Sequence, residues 1–415
     1  MTRVGRASSR LPTEDLRTLV ATGLGAEALD GKRVCVVIPD GTRRCPVPWL
    51  LDVVLAAMAG RPGRIEAIVA LGTHAPMSDD ALAALVGAAP GRIAERHPGL
   101  EVRNHAWDDP ATFRTLGTIP AGRVEQLSEG RLAVDVPVRI NRAVVDADLV
   151  LVIGPVLPHE VVGFSGGNKY LFPGLSGQEM IDVTHWLGAL IGSAAIIGTP
   201  GVTPVRALID EAATLVPTER RALCVVTDAG DGLHAAAYGT PEVAWTEAVE
   251  IAALTHVQYL DAPVRNVLSI IPDRYDDLWT AAKGFYKVEP VVADGGRVVL
   301  YAPYLHELTP MHPGVEDIGY HTIGYFTGQW DRFAERPWGE LAHSTHLRGA
   351  GTWDPVDGER ARVSVTLASG VSEARTRGVG LDWADPATID VDAYEGDPEW
   401  LVVPDAGEVL YRLRT

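Results

Sequence analysis

The sequence predicts an α/β protein with mainly parallel sheets, divided into two α/β domains. Short β-branched runs alternate with segments of helical pattern in both halves of the chain, and strands that alternate with helices form parallel βαβ units. A single hydrophobic core rarely grows beyond roughly 250–300 residues, and this chain has 415. We therefore expect residues 1–262 to form an N-terminal α/β domain, rejoined by residues 400–415, and residues 263–399 to form a C-terminal α/β domain.

Four runs are predicted to be strands of the first domain, because they are short, apolar and bounded by loops. These runs are Arg33–Ile38, Ile65–Leu71, Ala147–Ile153 and Arg221–Thr227. Ser78 is followed by two aspartates, which is typical of the start of a helix.

The second domain repeats this alternation. Its predicted strands are Val267–Ile271, Gly296–Ala302 and Arg362–Leu367. The acidic segment 381–398 is expected to be a solvated loop. Two further strand-like runs, Trp400–Val403 and Glu408–Leu413, are those that we expect to return to the first domain.

Composition limits the classes of function. The formal net charge of −18 argues against a nucleic-acid partner, since such proteins carry a basic surface. No run approaches the ~18–20 apolar residues of a membrane helix, and no secretory signal is visible. The three cysteines, Cys35, Cys45 and Cys224, are predicted to be reduced thiols. We therefore expect a cytoplasmic protein without a membrane partner.

The segment Pro158–Gly177, PHEVVGFSGGNKYLFPGLSG, is the densest motif of the chain and contains five glycines. Glycine allows close approach of the backbone to a ligand, and backbone amides in such a loop can bind phosphate. A tight turn before a helix explains the same pattern equally well. The motif is not a Walker loop, because Tyr170 follows Lys169, and it lacks the glycine spacing of a dinucleotide-binding loop.

Polar residues follow three of the predicted strands. Asp40 and Arg43 follow the first strand, His74 the second and His159 the third. In open parallel sheets, ligands bind beyond the carboxyl ends of the strands, and Arg43 could bind a carboxylate with its two-pronged guanidinium. A lone histidine such as His185 is more often structural, but together these residues predict a site for a small anion.

The motifs together resemble those of the nickel-dependent lactate racemase family. His159 and Lys169 are ten residues apart, and Lys169 and His185 are sixteen apart, as in that family. The resemblance extends over both predicted domains. The matching segments are Asp40–Arg43 (DGTR), Gly72–His74 (GTH), Pro158–Gly177, His185 and, more weakly, Leu278–Gly284 (LWTAAKG).

The resemblance implies a nickel pincer nucleotide as cofactor, attached covalently through a thioamide to Lys169. It implies His185 as the protein ligand of nickel, and His74 and His159 as the acid–base pair. The expected reaction is racemisation or epimerisation at the carbinol carbon of a small 2-hydroxy acid, by transient hydride transfer to the cofactor. The expected partners are this substrate and the enzymes that make the cofactor, and the active site is expected in the cleft between the domains.

Further residues are expected to contact the cofactor or the substrate. On the cofactor side they are Asp40, Ser165, Gly166 and Gly167, and on the substrate side they are Arg43, Thr280 and Lys283. Thr280 stands where the lactate enzyme is expected to carry an amide side chain, and Trp279 beside it is bulky. We therefore expect a substrate other than lactate.

Several alternatives remain open at this point. His343 and His346 could bind a metal, a polyol or a carboxylate, or could simply be polar residues of a loop. The same scaffold could hold another metal or perform another redox reaction on hydroxy acids or sugars. The chain could also be a cofactor-binding paralogue without racemase activity.

Overall fold

The computed structural model describes residues 2–58, 60–72, 74–228, 230 and 232–414. In these residues the strands are β1 (Arg3–Gly5), β2 (Arg33–Ile38), β3 (Arg64–Val69), β4 (Leu100–Asn104), β5 (Phe113–Ile119), β6 (Val136–Asn141), β7 (Leu149–Pro155), β8 (Pro158–His159), β9 (Gly163–Phe164), β10 (Glu219–Thr227), β11 (Leu233–Gly239), β12 (Val257–Leu260), β13 (Val264–Ile270), β14 (Val292–Ala302), β15 (Gly351–Asp354), β16 (Gly358–Ala361), β17 (Ser364–Ser369), β18 (Asp382–Ala384), β19 (Trp400–Val403) and β20 (Leu410–Leu413).

Helices connect most of these strands. The α-helices are α1 (Thr13–Gly25), α2 (Val47–Met58), α3 (Asp79–Leu85), α4 (Ile93–Arg96), α5 (Ala121–Leu127), α6 (Arg142–Asp146), α7 (Gln178–Ile191), α8 (Ser193–Ile196), α9 (Pro204–Thr214), α10 (Pro241–Thr255), α11 (Leu278–Ala281), α12 (Lys283–Tyr286), α13 (Gly314–Ile318), α14 (Ile323–Thr327), α15 (Trp330–Phe333), α16 (Trp338–His343), α17 (Glu373–Gly378) and α18 (Val391–Glu395). Single 3-10 turns form at Pro110–Thr112, Gly167–Tyr170, Glu289–Val291 and Pro386–Thr388.

The chain divides into two compact units. Unit 1 comprises Met1–Leu157, Phe164–Thr184 and Pro200–Thr255, and unit 2 comprises Pro158–Gly163, His185–Thr199 and His256–Thr415. Each unit is built on its own mainly parallel sheet, so the predicted fold class is confirmed.

Unit 1 contains a seven-stranded sheet in the order β1-β11-β10-β7-β2-β3-β4. The five strands from β10 to β4 are parallel, and β11 and β1 add an antiparallel edge. All seven residues of β7 are buried, which is typical of a strand covered on both faces. The four strands predicted for this region are confirmed as β2, β3, β7 and β10, with ends shifted by up to two residues.

The predicted helix after β3 is also confirmed. α3 begins at Asp79, and the Ser78 hydroxyl accepts a hydrogen bond from the Ala81 N–H at 3.2 Å. A side-chain oxygen at this position satisfies one of the amide donors that the first helical turn leaves without a partner. This helix and α2 bury their apolar faces in the core of unit 1, around Leu50, Val54 and Leu82.

Unit 2 contains a five-stranded parallel sheet in the order β18-β17-β14-β13-β19. The predicted strands are confirmed as β13, β14 and β17. The segment 381–398 is less irregular than expected, because it contains β18, a 3-10 turn and α18. No helix in the described ranges has the length and apolar character needed to cross a membrane.

The last two strands, which we expected to return to residues 1–262, belong to unit 2, where β20 pairs with a strand from within that range. β19 pairs with β13, and β20 pairs with β12, both within unit 2. Leu410 is fully buried in the core of this unit. A four-residue apolar run identifies a strand, but it carries no information about which strand it will pair with.

Candidate active site

Asp40 and His74 form a pair beyond the carboxyl ends of β2 and β3, which are neighbouring parallel strands. Nδ1 of His74 contacts Oδ2 of Asp40, and Oδ1 of Asp40 accepts hydrogen bonds from the Thr42 N–H at 3.0 Å and the Thr42 hydroxyl at 2.7 Å. An ionised carboxylate can only accept, so Nδ1 of His74 carries a proton. The lone pair of the neutral ring then lies on Nε2, where it can act as a base. Thr73, the middle residue of this motif, lies outside the described residues.

The electrostatics of Asp40 keep this carboxylate ionised. Burial on its own would raise the pKa of Asp40, but the charge and hydrogen bond of His74, the charge of Arg43 and the Thr42 hydrogen bond together hold that pKa well below its ordinary value. Arg43 is half-buried, and its backbone nitrogen lies 3.4 Å from the Asp40 backbone carbonyl oxygen. The structure therefore brings Asp40, Arg43 and His74 together, and their roles toward cofactor and substrate stay predictions.

The glycine-rich segment forms a tight turn against β7. The Ser165 hydroxyl donates to the Pro155 carbonyl at 3.2 Å and accepts from the Leu157 N–H at 3.0 Å. Gly166 has a φ of +90°, and a Cβ there would lie 2.6 Å from Cγ2 of Val156. Gly167 follows with a φ of +57°. Ser165 and both glycines thus shape the turn, and their contact with a cofactor stays a prediction.

Lys169 lies in the 3-10 turn Gly167–Tyr170 and is half-buried. Its N–H donates to the Gly166 carbonyl at 3.2 Å, and its carbonyl accepts from the Gly174 N–H at 3.2 Å. Burial first, and then Cys45, raise the pKa of the adjacent Tyr170 well above its ordinary value, and Arg43 and Asp40 also act on it. The lysine turn therefore lies near the Asp40 group.

Arg206 supports the glycine-rich turn and was not identified from the sequence. Its guanidinium donates to the carbonyls of Phe164 at 2.6 Å and Gly166 at 3.1 Å, and lies 4.3 Å from the centre of the Trp245 ring. Burial lowers the pKa of Arg206 to about 10. An arginine within an apolar helix was the available signal, but nothing local links it to a turn 40 residues earlier.

His159 belongs to unit 2 and is buried. Its Nδ1 accepts a hydrogen bond from the Val161 N–H at 3.2 Å and lies 3.2 Å from Oε2 of Glu160. Nδ1 of His74 contacts a carboxylate. Nδ1 of His159 contacts both a backbone amide and a carboxylate. Because Nδ1 of His159 accepts from an amide, the neutral His159 ring carries its proton on Nε2, whereas the neutral His74 ring carries its proton on Nδ1.

His185 lies on the part of α7 that belongs to unit 2, and it is half-buried. Its neighbour Trp186 stacks on Trp330 with ring centres 5.2 Å apart and an interplanar angle of 18°. Trp186 also contacts Trp338 and Phe326. These aromatic contacts fix the helix turn that carries His185.

The two predicted substrate residues of unit 2 lie at the starts of short helices. The Thr280 hydroxyl donates to Oδ1 of Asp277 at 2.8 Å, where it takes part in capping α11. Lys283 is the first residue of α12 and is buried, with Nζ 4.2 Å from the centre of the Tyr275 ring. A buried cation is suited to binding an anion.

Trp279 is sandwiched between two imidazole rings. The ring centre of Trp279 lies 3.9 Å from that of His312 and 3.8 Å from that of His343, and both pairs are stacked. His343 contacts His346 at 5.1 Å, and the Tyr320 hydroxyl lies 3.3 Å from Nε2 of His343. The sequence singled out His343 and His346 but missed His312, because His312 is isolated in a loop.

The histidines around Trp279 lie close to the predicted site residues of unit 2. Burial and then His346, His312 and His185 lower the pKa of His343 well below its ordinary value. Burial lowers the pKa of His346 as well, and Glu160, the neighbour of His159, opposes that effect. His185 and the segment that carries His159 therefore both lie within electrostatic reach of the His343–His346 pair.

Within the described part of the chain, no three histidine, cysteine, aspartate or glutamate side chains converge as a site for a metal ion. A bare ion would need several protein ligands. A metal that arrives with donors of its own needs as little as one imidazole, which His185 can supply.

The fold and these residues define an α/β protein of two units, with a histidine–carboxylate pair beside a glycine-rich lysine turn. Residues 20–197 match the lactate racemase N-terminal domain family. The chain is 23% identical to a lactate racemase of Thermoanaerobacterium thermosaccharolyticum over 65% of this chain and 60% of that protein. It is 26% identical to a lactate racemase of Lactiplantibacillus plantarum over 39% of this chain and 35% of that protein.

Two solved structures match nearly the whole chain. A protein from Thermotoga maritima has 29% sequence identity and a TM-score of 0.89, and the match covers 98% of this chain and 99% of that one. The lactate racemase apoprotein of T. thermosaccharolyticum has the same fold, with a TM-score of 0.71 at 17% identity over 99% of both chains. Residues 20–197 thus match the N-terminal domain family of lactate racemases, and the whole chain shares the fold of a lactate racemase.

Proposed function

We propose that the chain is a racemase or epimerase that inverts the carbinol carbon of a small 2-hydroxy acid. The observation that carries the proposal is the His74–Asp40 pair beside the lysine turn. A carboxylate that fixes Nδ1–H leaves Nε2 of His74 able to remove the proton of the substrate hydroxyl. The match of residues 20–197 to the lactate racemase N-terminal domain family supports this class of reaction, as does the similarity to two lactate racemases.

The residues present fit a nickel pincer nucleotide. Lys169 offers a half-buried amine on a fixed turn, and covalent attachment would consume that amine and so remove the cost of burying its charge. His185 offers one imidazole, which is sufficient for a metal with donors of its own. When bound, this cofactor would accept the hydrogen of the carbinol carbon as hydride and return it to either face of the planar keto acid.

The remaining steps fall to side chains of this chain. His74 takes the hydroxyl proton of one enantiomer through Nε2, and His159 serves the other enantiomer. In one inversion the first histidine gains the hydroxyl proton of the substrate, and the second, which starts the turnover protonated, gives a proton to the re-formed hydroxyl of the product. Proton exchange with water then restores both rings. Arg43 and Lys283 bind the substrate carboxylate, and each such charge-assisted contact is worth about 1.5–3 kcal/mol.

The surroundings of Thr280 support a substrate other than lactate. The Thr280 hydroxyl is bonded to Asp277, and the bulky Trp279 beside it is held between two histidines. Buried imidazoles can both donate and accept hydrogen bonds, so this region is suited to a 2-hydroxy acid that carries further polar groups.

The experiment is a racemisation assay on single enantiomers of a panel of 2-hydroxy acids, with the chain produced alongside the enzymes that make the cofactor. We expect loss of optical activity with at least one 2-hydroxy acid, and slower turnover of lactate. Lys169→Arg is expected to abolish turnover, because arginine keeps the charge but cannot form a thioamide. Equal activity on neutral sugars would contradict the carboxylate assignment, and no activity on any hydroxy acid by cofactor-loaded protein would contradict the proposal.

A further inference from the structure

Asn168, the residue directly before Lys169, is held by three charged side chains. Its Nδ2 donates to Oδ1 of Asp210 at 2.9 Å and to Oε1 of Glu242 at 2.7 Å. Its Oδ1 accepts from Nη1 of Arg220 at 2.9 Å. These partners lie on α9, α10 and β10, so one amide joins three elements of unit 1 to the turn.

The donors and acceptors of this network match the chemistry of an asparagine. An amide offers two N–H groups and one carbonyl oxygen, and here both kinds of atom have charged partners. Asn168 is 1% exposed, so an apolar side chain in its place would leave the half-buried Asp210 and the exposed Glu242 without these donors. Aspartate would add a third carboxylate next to Asp210 and Glu242.

The backbone of Asn168 is held as firmly as its side chain. Its carbonyl accepts hydrogen bonds from the N–H groups of Leu171 and Phe172, each at 2.9 Å. The backbone of Lys169 is bonded to Gly166 and Gly174. Hydrogen bonds therefore fix the chain on both sides of the lysine. The direction in which the Lys169 side chain leaves the turn therefore depends on the position of Asn168.

We propose that Asn168 is the positioning residue for Lys169, and that Asp210, Glu242 and Arg220 hold Asn168 in place. The network sets the turn so that the lysine amine is presented to the cofactor that it is to bind. This inference rests on the proposed function, because that function makes Lys169 the attachment point. A displacement of only ~1 Å at a reacting group can cost on the order of 100-fold in rate.

The chain contains only four lysines, which makes the position of Lys169 measurable without cofactor. Lys32 is exposed and reports the strength of an acetylating reagent, while Lys287 is buried and reports general opening of the fold. The unloaded full chain is treated briefly with acetic anhydride, and the acetylated fraction of each lysine is read by peptide mass spectrometry.

We expect Asn168→Ala to raise the ratio of Lys169 to Lys32 acetylation about tenfold, because a displaced turn releases a half-buried amine. Acetylation of Lys287 should stay at its wild-type level. Asp210→Ala should raise the same ratio, whereas Asp210→Asn should restore it to near the wild-type value, since an amide oxygen still accepts from Asn168. Glu247→Gln is the matched control, because Glu247 lies on α10 like Glu242 but pairs with Arg3.

A second measurement follows the extent of Lys169 modification after production with the cofactor-making enzymes. We expect wild type, Asp210→Asn and Glu247→Gln to be modified, and Asn168→Ala to be modified at least about tenfold less. If wild-type Lys169 is never modified, the proposed attachment is wrong, and the acetylation ratios still decide the role of Asn168. If acetylation and modification of Lys169 in Asn168→Ala equal those of wild type, the inference is overturned. If Asn168→Ala also exposes Lys287, the comparison of Asp210→Ala with Asp210→Asn decides instead. Equal ratios of Lys169 to Lys32 acetylation in these two variants would overturn the inference.

Discussion

Asp40 is the residue that holds the proton of the neutral His74 ring on Nδ1. Both of its oxygens accept hydrogen bonds, and the histidine, the threonine hydroxyl and Arg43 together outweigh the effect of burial on its pKa. The carboxylate therefore stays ionised far below neutral pH, and in the neutral ring of His74 it holds the proton on Nδ1.

Asp40→Asn should lower the free energy of unfolding by an amount that depends on pH. Because the folded-state pKa of Asp40 lies below its unfolded value of about 3.9, its stabilising effect is complete above that pH and is lost as the pH falls toward the folded-state pKa. Urea denaturation at about pH 7 and about pH 3 should show a smaller difference from wild type at the lower pH. Asp30→Asn, at an exposed ion pair, is the control. An equal difference at both pH values would contradict the role assigned to Asp40.

His74 and His159 should separate in half-reactions. A single positioned base contributes ~10²–10⁴-fold, so either alanine variant should slow racemisation in both directions by a similar factor. With cofactor already bound, each variant should still reduce the cofactor with one enantiomer and fail with the other, in opposite senses. Single-turnover absorbance with each pure enantiomer measures this. Equal reduction by both enantiomers in both variants would show that the two histidines are not the bases.

The glycine-rich turn is the element that carries Lys169, and its shape depends on two neighbouring glycines. Gly166 has a φ that side chains rarely adopt, and Val156 occupies the space where its Cβ would lie. Ser165 and Arg206 hold the adjacent backbone through its carbonyl and amide groups. The turn is therefore rigid before any ligand binds.

Gly166→Ala should destabilise the chain by about 1–3 kcal/mol through backbone strain, with a further loss from the contact with Val156. Gly192→Ala has a similar φ of +94° but open space around the added Cβ, so it isolates the strain. Gly122→Ala in α5 has ordinary backbone angles and open space, so it should cause no loss. Urea denaturation ranks the three variants. A Gly166→Ala variant as stable as Gly122→Ala would contradict this description of the turn.

Local sequence was sufficient to predict most strands and the start of α3. Strand β2 and helix α3 follow from apolar pattern and a capping serine, which act within a few residues. The same was true of Asp40 and His74, because the ends of neighbouring parallel strands meet. Arg206 and His312 could not be found in this way, since each acts on residues that are distant along the chain.

At the scale of the whole molecule, each of the two units is formed by several separate segments of the sequence. Unit 2 takes in 158–163 and 185–199 from the first half of the chain, as well as everything from His256. The domain bounds expected from the sequence did not include these two short segments, because composition cannot show such returns. Ile197 is fully buried in the core of unit 2, and Nζ of Lys287 donates to the Pro158 carbonyl at 2.6 Å.

Residues 256–415 expressed alone should therefore fold poorly. The fragment lacks Ile197, so it leaves a gap in its core, and it leaves Lys287 without the Pro158 acceptor. We expect binding of a hydrophobic dye and a urea transition that is less cooperative than that of the full chain. A fragment that unfolds in one sharp transition without dye binding would show that the two returning segments are not needed by unit 2.

The most direct test of the proposed reaction follows the hydrogen on the carbinol carbon. Cofactor-loaded chain is incubated in D2O with one enantiomer of the 2-hydroxy acid that it turns over, and the product is analysed by NMR and chiral chromatography. Hydride transfer within a site closed to water predicts a mixture of enantiomers that keeps protium on carbon 2. Deuterium on carbon 2 of the inverted product, which proton removal and return from solvent would introduce, would contradict the account.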